Sequence, residues 1–210
     1  MFYQVKVVGH TCWQADLGPG CGYAITMTGR IRIIAGRWRG RRLDVPDLPG
    51  LRPTGDRVRE TLFNWLHAQI HGARCLDLFA GTGALGLEAA SRGAARVVLV
   101  ERDRDLADRL ETLAATWPGG EVIEVCRADA LGWLEHCEET FDLVFVDPPF
   151  ADSLQETVLE RLSARVLAEH GLIYLESPVG QSVVLDPSWK VRRHKRLGQV
   201  EIRLLERAKV

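Results

Sequence analysis

Two short apolar runs, Val97-Val98-Leu99-Val100 and Leu143-Val144-Phe145-Val146, constrain this chain more than any other feature. Neither alternates polar with apolar, so each suits a strand covered on both faces, as in a parallel sheet flanked by helices. Strands are expected at 75–79, 96–100, 121–126, 141–146 and 172–176, with helices at 84–92, 103–116, 130–137 and 153–167. Such alternation implies an α/β fold with helices on both faces of a mostly parallel sheet. Residues 30–35 and 41–45, around Gly36 and Gly40, read as a small hairpin, and 189–194 with 199–206, around Leu197-Gly198, as a terminal one. Between the first hairpin and the sheet, Thr54 is a candidate N-cap. Val58, Leu62, Trp65 and Leu66 then recur at helical spacing, predicting an amphipathic helix over 55–69.

Residues 1–26 lack lasting periodicity and hold Gly18-Pro19-Gly20 and two of the five cysteines. They read as an upstream artefact or disordered extension ahead of a natural start at Met27, the alternative being a strand on 3–8. That divides the chain into an extension (1–26), a hairpin and helix (27–70) and the sheet domain (71–210). With 46% hydrophobic residues in 210, one well-buried core is expected. No apolar run approaches the roughly 18 residues of a membrane span, and no secretory signal opens the chain. The cysteines are odd in number and form no CxxC pair, so neither a disulfide framework nor a metal site is expected, and a cytoplasmic location is.

The first strand runs into Asp77-Leu78-Phe79-Ala80-Gly81-Thr82-Gly83-Ala84-Leu85-Gly86. Gly81, Gly83 and Gly86 fit GxGxxG, and Glu101 follows Gly83 by 18 residues, as in a dinucleotide fingerprint. Glycines at such a turn also serve packing alone. Two acids turn the reading from a nicotinamide cofactor towards S-adenosylmethionine. Asp77, immediately before the loop, would repel a pyrophosphate but accept from the ammonium of a methionine moiety. Asp129, after the third strand, suits an adenine amino group. The candidate cofactor contacts are thus Asp77, Phe79, Gly81, Gly83, Glu101, Asp129 and Ala130.

The fourth strand delivers Asp147-Pro148-Pro149-Phe150 to the same edge. An exocyclic base amine is a poor nucleophile because its lone pair is delocalised into the ring. Asp147 and the carbonyl of Pro148 are expected to accept from its two N–H groups, the prolines to fix the backbone, and Phe150 to stack on the base. A cytosine-C5 mechanism needs a Pro-Cys nucleophile, and none occurs.

Arg32 to Gly40, the block Leu51-Arg52-Pro53-Thr54-Gly55-Asp56-Arg57-Val58-Arg59-Glu60-Thr61-Leu62-Phe63-Asn64-Trp65-Leu66, the glycine loop, Asp147–Phe150 and Gly198-Gln199-Val200 together resemble the bacterial small-subunit rRNA guanine-N2 methyltransferase D family. The resemblance covers about residues 30–207. It implies a seven-stranded class I S-adenosylmethionine methyltransferase sheet with a small N-terminal β-hairpin. It also implies methyl transfer to the N2 amine of a guanine in 16S rRNA within the assembled small ribosomal subunit. Leu113-Ala114-Ala115 stands where members often have Asn-Leu, and residues 1–26 have no counterpart.

Residues 30–42 hold six arginines and no acid, and 190–196 read KVRRHKR. Arg37, Trp38, Arg39, Arg41 and Arg42 are candidate RNA contacts. Arg57 and Arg59 open the helix that the resemblance places beside the cofactor, where they either contact RNA or order the site. A monomer without membrane contact is expected. Other readings are an adenine or cytosine amino-methyltransferase acting on DNA or RNA, and a non-catalytic RNA-binding module.

Overall fold

A computed structural model of the chain describes residues 2–7, 10–15, 27–46, 54–149, 154–162 and 166–208, with side chains from residue 29 onward. In chain order the elements are β1 (Phe2–Val7), β2 (His10–Ala15), β3 (Met27–Arg32), β4 (Arg42–Pro46), α1 (Asp56–Trp65), β5 (Arg74–Asp77), α2 (Ala84–Ser91), β6 (Arg96–Glu101), α3 (Arg104–Thr116), β7 (Ile123–Arg127), α4 (Ala130–His136), β8 (Phe141–Val146), α5 (Gln155–Leu162), β9 (Leu167–Pro178), β10 (Trp189–Leu197) and β11 (Val200–Arg207). Seven strands form one sheet in the order β10-β11-β9-β8-β5-β6-β7. The strands from β9 to β7 pair in parallel, whereas β11 lies antiparallel to both β9 and β10. This is the class I methyltransferase sheet expected from the sequence. Two separate antiparallel hairpins, β3-β4 and β1-β2, accompany it.

From β5 the chain winds outward through β6 to β7, then returns to lay β8 on the other side of β5. That reversal opens a crevice outside the carboxyl ends of β5 and β8, where doubly wound sheets bind ligands. The apolar runs are buried as anticipated: Val97 to Val100 and Leu143 to Val146 are all at most 1% exposed. One sheet face carries Leu62, Phe63 and Leu66 from α1 and its following turn, together with Leu87 of α2 and Leu110 of α3. The other carries Leu134 of α4 and Val158, Leu159 and Leu162 of α5. Each fully buried Leu or Phe contributes about 1.5–3 kcal/mol. The first hairpin joins the same apolar cluster through Ile31, Ile33, Trp38 and Leu43.

Several boundaries differ from the periodicity. The helix over 55–69 stops at Trp65, because Leu66 closes it and the chain turns to bring Ala73 to β5. Strand β9 starts at Leu167, not 172, since its first residues pair with Phe141 before an irregularity restores register at Leu143. Residues 2–7 and 10–15, inside the segment read as an extension, pair as strands, with β2 close to β7; residues 16–26 lie outside the described residues. Cysteine use also departs from expectation. Cys75 and Cys137 are free buried thiols, but Cys126 on β7 is disulfide-bonded. Spacing along the chain carries no signal for a pairing that depends on which element meets β7. No helix among the described residues is long and apolar enough to cross a membrane, and no cluster of three metal-ligating side chains occurs among them.

Candidate functional site

The carboxyl ends of β5, β6 and β8 bring three carboxylates to the crevice. Asp77, the last residue of β5, is 1% exposed, and its Oδ2 accepts the Gly86 N–H at 2.9 Å. Burial pushes its carboxyl up to about 7; the Gly86 bond opposes this, while the charges of Asp147 and Glu101 reinforce it. Glu101 closes β6 and accepts the Gly81 N–H at 2.7 Å through Oε2 and the Asp103 N–H at 2.8 Å through Oε1. Burial raises its pKa as well, against those backbone bonds. Asp147 follows β8 directly. Its Oδ2 accepts the Thr54 hydroxyl at 2.9 Å, and its carboxyl is pushed up to about 6 by burial, with the Thr54 bond pulling it back. None of the three forms an ion pair among the described residues. The crevice is therefore rich in buried acid and poor in cation.

The glycine loop has both conformational and packing reasons for its residues. Gly83, at φ 79°, is the N-cap of α2, and Gly81 has φ 53°. A Cβ at Gly86 would stand 2.2 Å from Leu99 Cδ2, so the missing side chain lets α2 lie against β6. Phe79 is half-buried within the loop. Asp129 and Ala130 sit after β7, where the Asp129 Oδ1 caps α4 by accepting the Leu131 and Gly132 N–H groups, both at 3.0 Å. The adenine-binding expectation thus falls on a side chain with one oxygen already used structurally. Pro148 is buried and Pro149 half-buried; Phe150 lies outside the described residues. Behind Asp147, the buried Tyr174 hydroxyl donates to Glu176 Oε2. Burial, then the Glu176 and Asp147 charges, push that phenol well above its usual range. A cavity of about 320 Å³ lies on the hairpin side of the loop, lined by Arg42, Gly81, Thr82, Leu106 and Leu110, and Asp77 and Asp147 are not among its walls.

Sequence reasoning missed the role of Thr54. It was expected to cap the helix, yet the N-cap is Gly55 without any side-chain bond, and the Thr54 hydroxyl goes to Asp147. Nothing local distinguishes those two uses, since the partner is 93 residues away. Among the candidate RNA contacts, the structure turns two inward. Trp38 is 2% exposed, donates from Nε1 to the Pro118 carbonyl at 2.9 Å and meets Trp117 edge-on at 5.1 Å. Arg59 is fully buried, donating to Glu88 Oε2, Asp56 Oδ1 and the Arg32 and Thr54 carbonyls. Their apolar and ionic partners on other elements make both junction residues rather than phosphate contacts. Arg37 donates to the Gly119 carbonyl at 3.3 Å, and Arg41 stacks over Trp117 at 5.0 Å. Arg39, Arg42 and Arg57 are exposed and make no side-chain ion pair among the described residues. On β10, Lys190, Arg192 and His194 face Glu206 or Glu201, whereas Arg193, Lys195 and Arg196 are exposed and have no acid partner among the described residues.

Residues 31–206 match the family described as "Conserved hypothetical protein 95". The chain is similar to "Ribosomal RNA small subunit methyltransferase D" of Escherichia coli K12, at 49% identity over 182 residues, covering 86% of this chain and 91% of that one. Its similarity to the protein of the same name from Haemophilus influenzae is 42% over 182 residues, covering 85% and 94%. Among solved structures, "Putative methyltransferase yhhF" from Escherichia coli superposes with a TM-score of 0.74 at 47% identity, covering 85% of this chain and 98% of that one.

Proposed function

Because the chain belongs to the ribosomal RNA small subunit methyltransferase D family, we propose that it transfers a methyl group from S-adenosylmethionine to the exocyclic N2 amine of a guanine in 16S rRNA of the small ribosomal subunit. One observation carries the reading: Asp77, Glu101 and Asp147 converge on the switch-point crevice with raised pKa values and, among the described residues, no ion-paired cation. Such a crevice repels a phosphate-bearing cofactor and favours one whose ammonium and sulfonium are positive. S-Adenosylmethionine, when bound, supplies an electrophilic methyl group on its sulfur. Asp77 and the Gly81–Gly83 backbone would hold its methionine end and Glu101 its ribose. Phe79, Asp129 and Ala130 would line the adenine side.

The protein's own part is to make the amine nucleophilic. Asp147 Oδ1, which has no hydrogen-bond partner among the described residues, accepts one N–H of the base amine, and the Pro148 carbonyl accepts the other. As both bonds shorten, the nitrogen lone pair leaves conjugation and becomes available for attack, a developing charge that pre-aligned acceptors stabilise by several kcal/mol. Asp147 must be ionised to do this. Activity therefore falls as pH drops through about 6, the value to which burial lifts its carboxyl. A guanine reaches that carboxylate only after leaving its stack, which costs a few kcal/mol. Exposed cations hold the RNA backbone meanwhile: Arg39, Arg41, Arg42 and Arg57 beside the hairpin, Arg193, Lys195 and Arg196 on β10. The enzyme works as a monomer in the cytoplasm, where its substrate is.

The test uses labelled S-adenosylmethionine with small subunits from a methylation-deficient strain, followed by nucleoside analysis. N2-methylguanosine is expected; methyladenine or no product overturns the proposal. Asp147→Ala should lower kcat by about 10²–10³-fold while cofactor affinity stays nearly intact. Loss of cofactor binding in that variant would mean that Asp147 has a different role.

A further inference from the structure

We propose that Thr54 is a positioning residue for Asp147, and that the buried guanidinium of Arg59 holds Thr54 in place; this rests on Asp147 being the catalytic carboxylate. The Thr54 hydroxyl is 2.9 Å from Asp147 Oδ2, and the residue is 7% exposed. It has no competing duty at the helix start, because α1 is capped without a side-chain bond. A carboxylate rotates broadly about its terminal torsion. One pinned oxygen converts it into a directed acceptor, leaving Oδ1 for the substrate amine. The donor also favours the ionised carboxylate in a place where burial disfavours it.

Thr54 is in turn not free to move. Its carbonyl accepts Arg59 Nε at 3.2 Å. The remaining guanidinium nitrogens reach Glu88 Oε2 at 3.3 Å, Asp56 Oδ1 at 2.6 Å and the Arg32 carbonyl at 2.9 Å. Glu88, fully buried on α2, also accepts the Ile34 and Ala35 N–H groups at 2.7 and 3.0 Å, and Arg92 Nε at 2.7 Å. One guanidinium therefore ties the first hairpin, the start of α1 and the cofactor-loop helix to the residue that aims the catalytic carboxylate. The planar, five-donor fork of arginine suits this role; a lysine has neither the reach nor the directions.

Thr54→Val keeps the shape and removes the donor, whereas Thr54→Ser keeps the donor. Thr54→Val should lower kcat about tenfold and move the acid limb of the kcat–pH profile upward by about one unit, with KM for S-adenosylmethionine unchanged. Thr54→Ser should restore most of the rate and return the limb to its original position. Thermal melting of both variants, and ¹³C titration of Asp147 in the protein without substrate, give the same comparison without turnover. A Thr54→Val enzyme with wild-type kcat and pH profile overturns the proposal. So does an equal loss in both variants with no shift of the limb, which would make Thr54 a packing residue. An active Asp147→Ala enzyme would instead sink the catalytic reading itself, a distinct result.

Discussion

Two clusters of buried charge meet α2, and they follow opposite rules. At the junction, the fully buried Arg59 lies against the fully buried Glu88, with Asp56, Arg92 and backbone groups satisfying what remains. At the carboxyl edge, Asp77 accepts from Gly86 of the same helix, but the charges that act on its carboxyl, Asp147 and Glu101, have its own sign. A buried charge that is paired and hydrogen-bonded holds elements together. Like charges buried side by side raise one another's pKa, and the cheapest remedy is a ligand of opposite charge. The first cluster is architecture and the second is the proposed binding site, although both appear in sequence only as scattered acids and arginines.

The contrast breaks most visibly at Arg59. Arg59→Ala leaves Glu88 short of its buried partner and should cost about 3–5 kcal/mol in urea unfolding. A loss below about 1 kcal/mol would show that the junction pair is not what joins hairpin to sheet. At the other cluster the sign reverses. Burial lifts the Asp77 carboxyl from 3.8 to about 7, so the folded protein holds a proton there that the unfolded chain has already lost. Stability of the cofactor-free protein should therefore decline as pH rises through that window. Asp77→Asn should flatten the decline and raise the melting temperature at pH 8 by roughly 5 °C. S-Adenosylmethionine should stabilise the wild type much more than this variant. Melting curves from pH 5 to 8 decide it, and a steeper slope in Asp77→Asn would refute the account. The smallest effect belongs to exposed cations, which belong to neither cluster. Substituting Arg193, Lys195 and Arg196 together by Ala should change unfolding by less than about 0.5 kcal/mol. The same variant should lower the slope of log affinity for RNA against log salt by about 2. An unchanged slope would leave β10 a merely solvated edge.

The main architecture was legible because its signals are local. Val97–Val100 and Leu143–Val146 read as doubly covered strands, and the Gly81–Gly86 loop as the exit from a third, the strand that ends at Asp77. Strand direction then put Asp77, Glu101 and Asp147 at one edge without any knowledge of contacts. Legibility failed where a residue's duty lies across the molecule. Residues 30–42 looked like a uniform basic face, yet Arg30 and Arg32 pair with Asp44 and Asp56, and Trp38 fills the junction. Gly36 is a similar case: it is a turn glycine by sequence, but a Cβ there would fall 1.9 Å from the Ser91 carbonyl oxygen at the end of α2.

What the sequence by itself determined is the parallel sheet and the row of acids along its carboxyl edge, since side-chain periodicity and chain direction are properties of neighbouring residues. The tertiary structure alone decided which arginines face solvent, that Cys126 is disulfide-bonded, and that the Thr54 hydroxyl donates to Asp147 rather than capping a helix. Those depend on packing between segments far apart in the chain, where burial and the partner met there set whether a charge or hydroxyl serves the scaffold or the chemistry.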